Sequence, residues 1–593
     1  MTNLRPFRAS IFCIALLSSV AAFAAYDAPT LIYDTNSGAA SIPAASNADA
    51  APTNQGDATA PASSPQKPPK PLVLAIEGDA DDPTDAQTVP DAQPDLQSDS
   101  PSDEQIEAAQ GPAPTRAIDV LIDMRHAHDF SDFPLTVDDR NYHRIYSFNK
   151  AFEYLKSQGV VVEKYESNEP LTPEILAQCK TLFLNLPSGD KEPFFVGEIL
   201  AIRDFIQQGG ALFLITDHTN CYFHQSRLAP LFHEIDIEPQ YYGVCDTESA
   251  VGTGEGWLFM NRFADHPVTR GLREIAFQTG GGVDPRFAVA WSSETSWQDA
   301  PGIPIYGEAD LAYYGNFAPD PGERVGASGV VLAREYGKGR VVIVGDQNLF
   351  SAFYLQYLDV YRLWLNAFAW TLDRPELADR TRYAQEAQKS RVLICWEDLR
   401  PGARRFGDPD ANGYYHIYTV LCRHFNPFCV AHADTEARGK AILFVGGSAD
   451  YQQEGFDFAL QSLERGDAVV FVDPESDALT NSEKEPCALA NALLAKGVKA
   501  RPNVEDSSRE KLIERVEFEN GAKIVLIRGR HGYNNEVVPQ PERRPLLMDQ
   551  ENINAFLAEI DSLFDEEDFS LDDETPTDEA PIDEAPDEAP TEE

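Results

Sequence analysis

The amino-acid sequence predicts an α/β protein with two tandem doubly wound parallel-sheet domains, flanked by disordered acidic segments. Short apolar runs alternate with amphipathic helical patterns from residue 116 onward. This alternation is typical of a parallel sheet with helices on both faces, and it occurs twice along the chain. Both ends of the chain are poor in the large apolar residues that a folded core requires.

The first domain can be justified element by element between residues 117 and 216. Four apolar runs predict strands: "AIDVLIDM", "VVVEKY", "TLFLNL" and "ALFLIT". Three runs between them predict helices: "RIYSFNKAFEYLKSQG", "TPEILAQC" and "VGEILAIRDFIQQGG". Glycines at the ends of the first and third of these patterns are the usual residues after a helix C-terminus.

The pattern then repeats in the same order. "RVLICWED" (391–398) corresponds to "DVLIDMRH" (119–126), and "KAILFVGGSAD" corresponds to "KTLFLNLPSGD". "FDFALQSLERGDAVVFVDP" corresponds to "ILAIRDFIQQGGALFLITD", and "GAKIVLIRGRHGYN" corresponds to "GKGRVVIVGDQNLF". We therefore predict a duplication, with domains at 116–378 and 388–562 joined by a helical linker at 379–387. The first domain is longer because of an insertion near 220–325.

The ends of the chain predict an exported protein. A basic start with Arg5 and Arg8 precedes an apolar run that closes on Ala22-Phe23-Ala24. This pattern is typical of a signal peptide at residues 1–25, and the alternative is an uncleaved N-terminal anchor. Residues 26–115 and 563–593 are predicted to be disordered because they are rich in Ala, Pro and acidic residues. The expected location is periplasmic or extracellular.

Charge and cysteine spacing exclude several classes of function. The formal net charge is −48, with 96 acidic against 48 basic residues, which argues against nucleic acid as a partner. The mature chain has no further apolar stretch long enough to predict a membrane span. No CxxC motif occurs, so a structural zinc module is not predicted. Export would permit disulfides, and the plausible pairs are Cys221 with Cys245 and Cys422 with Cys429.

Four motifs of the first domain resemble the class I glutamine-amidotransferase-like superfamily. They are a strand ending in Asp123 with His126 close behind, "EILAIRDFIQQGGALFLITDH", "DHPVTRGL" (265–272) and "GKGRVVIVGDQNLFS" (337–351). Within the superfamily they resemble its non-catalytic branch, found in gliding-motility (GldG-type) ABC-transport auxiliary proteins and in intraflagellar-transport proteins. The resemblance implies flavodoxin-like domains, whose ligands bind at the carboxyl ends of the strands.

The residues of the active amidotransferases are not matched here. Their nucleophilic cysteine lies in a tight strand-to-helix turn flanked by glycines and needs a histidine as base. In this sequence the corresponding position is Asp217, and Cys221 follows four residues later with no flanking glycine. The later His-x-Glu pair is replaced by "GDQNLF". Glutamine amidotransferase activity is therefore not expected, and no catalytic residue is assigned.

Several ionisable residues are expected on one rim of the first sheet, because each follows a predicted strand. They are His126, His128, Asp129, Asp217, His218 and Asp346. Imidazoles and carboxylates can bind a small ligand or a divalent metal, whereas the alternative is a set of helix caps and solvated turns. The predicted ligand-binding residues are His126, His128, Asp217, His218 and Asp346. The insertion could fold over them with Trp257 and Tyr313-Tyr314 as apolar walls.

These observations lead to two functional expectations. The first is an exported, non-enzymatic binding or scaffold protein of the cell envelope, with an envelope protein or a glycan as partner and no obligatory cofactor. The second is a metal-dependent hydrolase that acts on sugars or cell-wall material in the cleft of the first domain. The second copy has Trp396-Glu397-Asp398, Asp473-Pro474 and Arg530-His531 at the matching points, so if either domain binds a specific ligand, it is expected to be the first.

Overall fold

The computed structural model describes most of the chain between residues 116 and 564. The described residues are 116–128, 130, 132–133, 147–252, 256–301, 315–379, 391–400, 403–409, 413–433, 439–445, 453–472, 485–501, 513–527 and 547–564. The expectations for residues 1–115 and for the acidic tail beyond residue 564 lie outside this range. Asp129, Tyr313-Tyr314, Asp473-Pro474 and Arg530-His531 lie outside it as well.

The first half of the described chain forms seventeen named elements in sequence order. They are β1 (Ile118–Asp123), α1 (Asn149–Ser157), β2 (Val162–Tyr165), α2 (Pro173–Leu176), β3 (Cys179–Asn185), α3 (Val196–Gln207), β4 (Ala211–Ile215), α4 (His224–Glu234), β5 (Gly243–Cys245), β6 (Trp257–Met260), β7 (Arg262–Phe263), β8 (Ile275–Gln278), β9 (Ala288–Trp291), β10 (Trp297–Asp299), β11 (Gly329–Tyr336), β12 (Gly339–Val344) and α5 (Val360–Thr371). Every strand predicted between residues 117 and 216 is present.

The second half repeats this alternation with fewer elements. They are β13 (Val392–Trp396), α6 (Tyr415–His424), β14 (Asn426–Val430), β15 (Ala441–Val445), α7 (Gln453–Arg465), β16 (Ala468–Val472), α8 (Glu485–Ala495), β17 (Ile513–Glu517), β18 (Lys523–Ile527) and α9 (Leu547–Asp561). Among the described helices of both halves, none is long and apolar enough to cross a membrane.

Both large sheets share one strand order. The first sheet runs β2-β1-β3-β4-β12-β11-β9-β7, and the second runs β14-β13-β15-β16-β18-β17. The first five strands of each are parallel, and an antiparallel strand follows them (β11 in one sheet, β17 in the other). This is the 2-1-3-4-5 order of flavodoxin-like sheets. The predicted fold class is confirmed.

Part of the segment 220–325 belongs to the first sheet itself. Strands β7 and β9 extend the sheet beyond β11 in antiparallel pairing. Helix α4 packs Leu228, Leu231 and Phe232 into the same apolar cluster as Ile202 of α3. The sequence did not reveal these strands, because two to four residues are too few to show an alternating pattern.

The two halves touch along an edge of the second sheet. Tyr357 forms a parallel bridge with Cys429 of the edge strand β14, and the Leu358 N–H donates to the Cys429 carbonyl at 2.9 Å. The Tyr418 hydroxyl donates to the Phe353 carbonyl at 2.8 Å. Because this loop covers the edge strand, its backbone groups are satisfied within the chain.

The predicted disulfide pairs are absent. Cys179, Cys221, Cys245, Cys395, Cys422 and Cys429 are each a buried free thiol. Cys395 and Cys429 face each other on neighbouring parallel strands. The short spacing between Cys422 and Cys429 suggested a pair. The two residues lie on different elements, Cys422 on α6 and Cys429 in the sheet.

An aromatic cluster fills the space between the first sheet and α5. Trp364 of α5 is fully buried and lies 5.5 Å from Phe213 of β4 and 4.7 Å from both Phe350 and Phe368, measured between ring centroids. Its indole N–H donates to the Ala151 carbonyl at 2.8 Å, which ties α5 to α1. One side chain thus joins a strand and two helices.

Replacing Trp364 tests this packing. We expect Trp364→Ala to lower the free energy of unfolding by about 3–5 kcal/mol, because a buried aromatic ring is lost and a cavity remains. The exposed Tyr241 offers a matched control, and Tyr241→Ala should change stability by less than about 1 kcal/mol. Equilibrium urea unfolding measures both. Equal losses in the two variants would contradict the central role of Trp364.

Candidate functional site

The parallel register places the carboxyl ends of four strands at one rim of the first sheet. Ile215 of β4 pairs with Asn185 of β3 and with Val344 of β12, and Asp123 ends β1 beside Leu184. The five predicted ligand-binding residues all follow these strands. They are buried: His126, His128, Asp217, His218 and Asp346. Their burial excludes the alternative of solvated turns.

His126 belongs to a separate ionic group on this rim. Its Nδ1 lies 2.6 Å from Asp123 Oδ2, and its ring stacks on Phe194 with centroids 3.9 Å apart. Glu198, at the start of α3, accepts a hydrogen bond from Arg125 at 2.6 Å and lies 3.8 Å from His126 Nε2. Because these groups satisfy one another, they explain the burial of His126 without a ligand.

His128 lies between this group and the turn after β4. Its backbone N–H donates to the Leu186 carbonyl at 3.1 Å. Its ring stacks on Tyr222 with centroids 3.6 Å apart, and Nδ1 lies 3.7 Å from Asp190 Oδ1. The stacking fixes the ring against the turn that carries Asp217 and His218.

Asp217 and Asp346 form a pair of buried carboxyl groups. Burial raises the pKa of Asp346 to about 7. Burial and the charge of Asp346 raise the pKa of Asp217 well above its ordinary value. Asp346 accepts hydrogen bonds from the backbone N–H groups of Gln278 and Asn348, and Asp217 accepts one from His218 N–H at 2.6 Å. Among the described ion pairs, none joins a lysine or an arginine to either carboxyl group.

The turn after β4 has a strained backbone. Thr219, Tyr222 and Phe223 have φ values of 50°, 52° and 61°, in the left-handed region that glycine tolerates best. Each such residue costs on the order of 1 kcal/mol. Strain of this kind is found at sites where the position of a side chain matters more than local stability.

Cys221 lies in this turn beside a histidine that the sequence analysis did not single out. His224 Nε2 accepts the Asp217 N–H at 3.3 Å, so Nδ1 carries the proton and donates to the Cys221 carbonyl at 2.7 Å. Cys221 Sγ lies 3.7 Å from Nδ1. Burial lowers the pKa of His224 to about 4 and raises the pKa of Cys221. Neither ring nitrogen can accept the thiol proton while these bonds hold.

Three side chains of the turn bring different donor atoms together. One oxygen of Asp217, one ring nitrogen of His218 and the Cys221 sulfur all lie within 4.8 Å of one another. His218 Nε2 lies 3.9 Å from Asp217 Oδ1, and His218 Nδ1 lies 3.1 Å from the Thr219 hydroxyl. Burial lowers the pKa of His218 to about 3, so the imidazole is neutral. These groups are chemically able to hold a metal ion.

The segment predicted as an insertion reaches the rim through Gln278, whose N–H donates to Asp346, and through Gly281. A Cβ at Gly281 would lie 2.5 Å from the Asp217 carbonyl oxygen, so only glycine permits this approach. The Gly281 N–H donates to the Gly345 carbonyl at 2.7 Å. Trp257 pairs with Gln278 and packs against Tyr354 and Tyr415 at 5.8 and 5.4 Å. Its role as a wall of the site stays a prediction.

The corresponding rim of the second sheet carries a different arrangement. Glu397 follows β13 and accepts the Gly407 N–H at 3.1 Å. Burial raises its pKa to about 8. Asp398 pairs with Arg400 through both carboxylate oxygens at 2.9 Å. At the end of β13, arginine therefore satisfies Asp398, and a backbone N–H binds one oxygen of Glu397.

Comparisons with known proteins find distant similarity to solved structures. No protein family matches the chain in a family scan, and a search of curated proteins finds no relative. Among solved structures, the mmIFT52 N-terminal domain is 13% identical over 43% of this chain and 97% of its own, with a TM-score of 0.31. A ThuA-like protein from Bacteroides uniformis is 13% identical over 45% of this chain and 96% of its own, with a TM-score of 0.25. A mannosidase from an Opitutaceae bacterium is 13% identical over 43% of this chain and 36% of its own, with a TM-score of 0.22.

At this identity and TM-score these neighbours assign no superfamily, activity, ligand or partner to this chain.

The raised pKa of Glu397 predicts how stability depends on pH. The native protein binds this proton more tightly than the unfolded chain, whose glutamate has an ordinary pKa near 4.5. The free energy of unfolding should therefore fall as the pH rises from about 4.5 to about 8. We expect Glu397→Gln to be more stable than the parent near pH 9, by on the order of 2 kcal/mol.

Urea unfolding at several pH values measures this difference. The advantage of Glu397→Gln should shrink as the pH falls and disappear below about pH 4, where the parent glutamate is largely protonated in both states. Glu519→Gln, at an exposed position of the same half, should show no such trend. A constant difference at every pH would refute the assignment.

Proposed function

We propose that this chain is an exported, non-enzymatic binding or scaffold protein of the cell envelope, built on amidotransferase-like domains of the non-catalytic branch. Its partner is an envelope protein or a glycan, held at the rim of the first sheet. The proposal unites the signal-peptide pattern, the duplicated sheet and the absence of a competent nucleophile from the turn after β4.

The two hydrogen bonds of His224 are the observation that supports a non-enzymatic role. A cysteine nucleophile requires a base that can remove the thiol proton and hold the resulting charge. Here the base candidate donates from Nδ1 and accepts at Nε2, both within its own turn. The only acidic side chain at the turn, Asp217, disfavours a thiolate at Cys221 by its charge. An active cysteine site has the opposite electrostatics.

Exposed apolar residues beside the rim support a binding role. Phe195 and Val196, at the start of α3, are 48% and 73% exposed. Arg125 lies over the Phe195 ring at 5.1 Å. Phe223 of the strained turn is 40% exposed. Exposed aromatic rings next to charged groups are common where proteins bind partners.

A metal-dependent hydrolase remains the second candidate, and one observation favours it. Asp217, His218 and Cys221 present oxygen, nitrogen and sulfur donors within reach of one ion. Three protein ligands and an open fourth position are typical of catalytic zinc. Turnover of a glycan or cell-wall substrate that requires a metal would select this candidate over the scaffold.

Glutamine hydrolysis tests the non-enzymatic proposal directly. We expect no ammonia release from glutamine by the purified mature chain, and no change in Cys221→Ala, because the thiol is neutral and its neighbouring histidine is engaged. A coupled glutamate dehydrogenase assay measures this. Hydrolysis that disappears in Cys221→Ala would overturn both the assignment of Asp217 to the nucleophile position and the scaffold proposal.

Substitutions beside the rim test the binding surface. We expect Phe195→Ala and Val196→Ser to reduce binding to isolated cell-wall glycan or envelope membranes by about tenfold each, because an exposed anchor contributes about 1–2 kcal/mol. Val161→Ser is the matched control, since Val161 is 44% exposed but precedes β2. It therefore lies at the amino ends of the strands, away from the rim. Co-sedimentation measures all three. Equal binding by all of them would place the partner elsewhere.

A further inference from the structure

We propose that Asp217, His218 and Cys221 form a zinc-binding site in the turn after β4. The three residues lie within five positions of one another, and the strained backbone of the turn directs their side chains to one point. The inference goes beyond the proposed binding function, because the chain could bind zinc whether or not the rim holds an envelope partner.

The distances fit a tetrahedral site after a small contraction. Ligand atoms around zinc lie about 2.0–2.3 Å from the ion, so neighbouring ligand atoms are about 3.3–3.8 Å apart. Asp217 Oδ1 and His218 Nε2 are already 3.9 Å apart. All three donor atoms lie within 4.8 Å of one another. Side-chain rotations that move each atom by less than about 1 Å would close the site.

A bound cation would compensate the charge of the two buried carboxyl groups beside the turn. Asp217 and Asp346 are both buried at the ends of neighbouring strands, and no described lysine or arginine forms an ion pair with either of them. Two buried carboxyl groups close together repel each other when both are ionised. A divalent ion would offset this repulsion and would also favour the thiolate of Cys221.

The surrounding contacts orient the ligands as they do in known metal sites. A metal-binding histidine usually uses one ring nitrogen for the metal and fixes the other by a hydrogen bond. Here His218 Nδ1 lies 3.1 Å from the Thr219 hydroxyl, and Nε2 faces Asp217. Asp217 is fixed in turn by the His218 N–H. The His218 ring and the carboxylate are thus positioned before a metal arrives.

The donor set selects zinc over the hard cations. Magnesium and calcium prefer oxygen ligands only, whereas a thiolate and an imidazole suit zinc. Three protein ligands leave the fourth position to a water molecule or to an oxygen atom of a bound partner. The sequence placed Asp217 and His218 among the candidate ligands but not Cys221, because zinc modules are recognised by paired Cys and His motifs and no such motif occurs in this turn.

Metal binding to the purified mature chain, made without a histidine tag, tests the site. After treatment with a chelator, dialysis against Zn²⁺ should restore one zinc ion per chain, measured by elemental analysis. Substitution with Co²⁺ should produce thiolate-to-cobalt charge-transfer absorption in the near ultraviolet. That signal requires a sulfur ligand and needs no variant, so it remains informative if a variant does not fold.

Single variants then identify the ligands. Asp217→Asn, His218→Gln and Cys221→Ser should each weaken zinc binding at least about 100-fold, because loss of a ligand exceeds the 10- to 100-fold effect of its outer partners. Cys179→Ser and His233→Gln are matched controls, a buried cysteine and an exposed histidine outside the turn, and both should bind as the parent does. Substoichiometric zinc in the parent, or absence of the cobalt–thiolate band, would overturn the proposal.

Discussion

The parallel register between β4 and β12 is the constraint on which the rest of the candidate site depends. Ile215 pairs with Val344, and Asp217 and Asp346 each follow two residues later. Because side chains two residues apart point to the same side of an extended chain, the register brings both carboxyl groups to one place. The adjacent strands and helices then bury them, and their raised pKa values follow from that burial.

Burial and the charge of Asp217 also raise the pKa of the Cys221 thiol in this turn. Asp217 stands at the end of the strand, where the amidotransferases place their cysteine, and its charge opposes ionisation of the nearby Cys221 thiol. His224 stabilises the turn through two hydrogen bonds instead of acting on the sulfur. The same residues that make a cysteine nucleophile unfavourable make a cation favourable, since a cation reverses the sign of the local potential.

The sequence allowed the sheet to be predicted well and the site only in part. Strand ends could be located from apolar runs, and this was enough to place Asp217, His218 and Asp346 on one rim. The partner of a histidine could not be located in the same way. Asp123 and Glu198 flank His126, but Glu198 is 72 residues away in sequence and reaches the rim only because α3 begins there. His224 was missed because an ordinary helical segment gives no sign that its first residue turns back onto Asp217.

Comparison of the two halves indicates which features serve the fold and which serve the site. Both sheets keep the strand order, so the order belongs to the fold. The second half replaces the group around β1 with Glu397, held by the Gly407 N–H, and Asp398 paired with Arg400. The group around β1 likewise contains an arginine pair, Arg125 with Glu198, whereas the described part of the first half provides no lysine or arginine partner for Asp217 or Asp346. The strained turn occurs beside the unpaired carboxyl groups. Backbone strain persists only where the surrounding structure enforces it. The left-handed conformation of Thr219, Tyr222 and Phe223 is therefore a feature of the site and not a requirement of the fold.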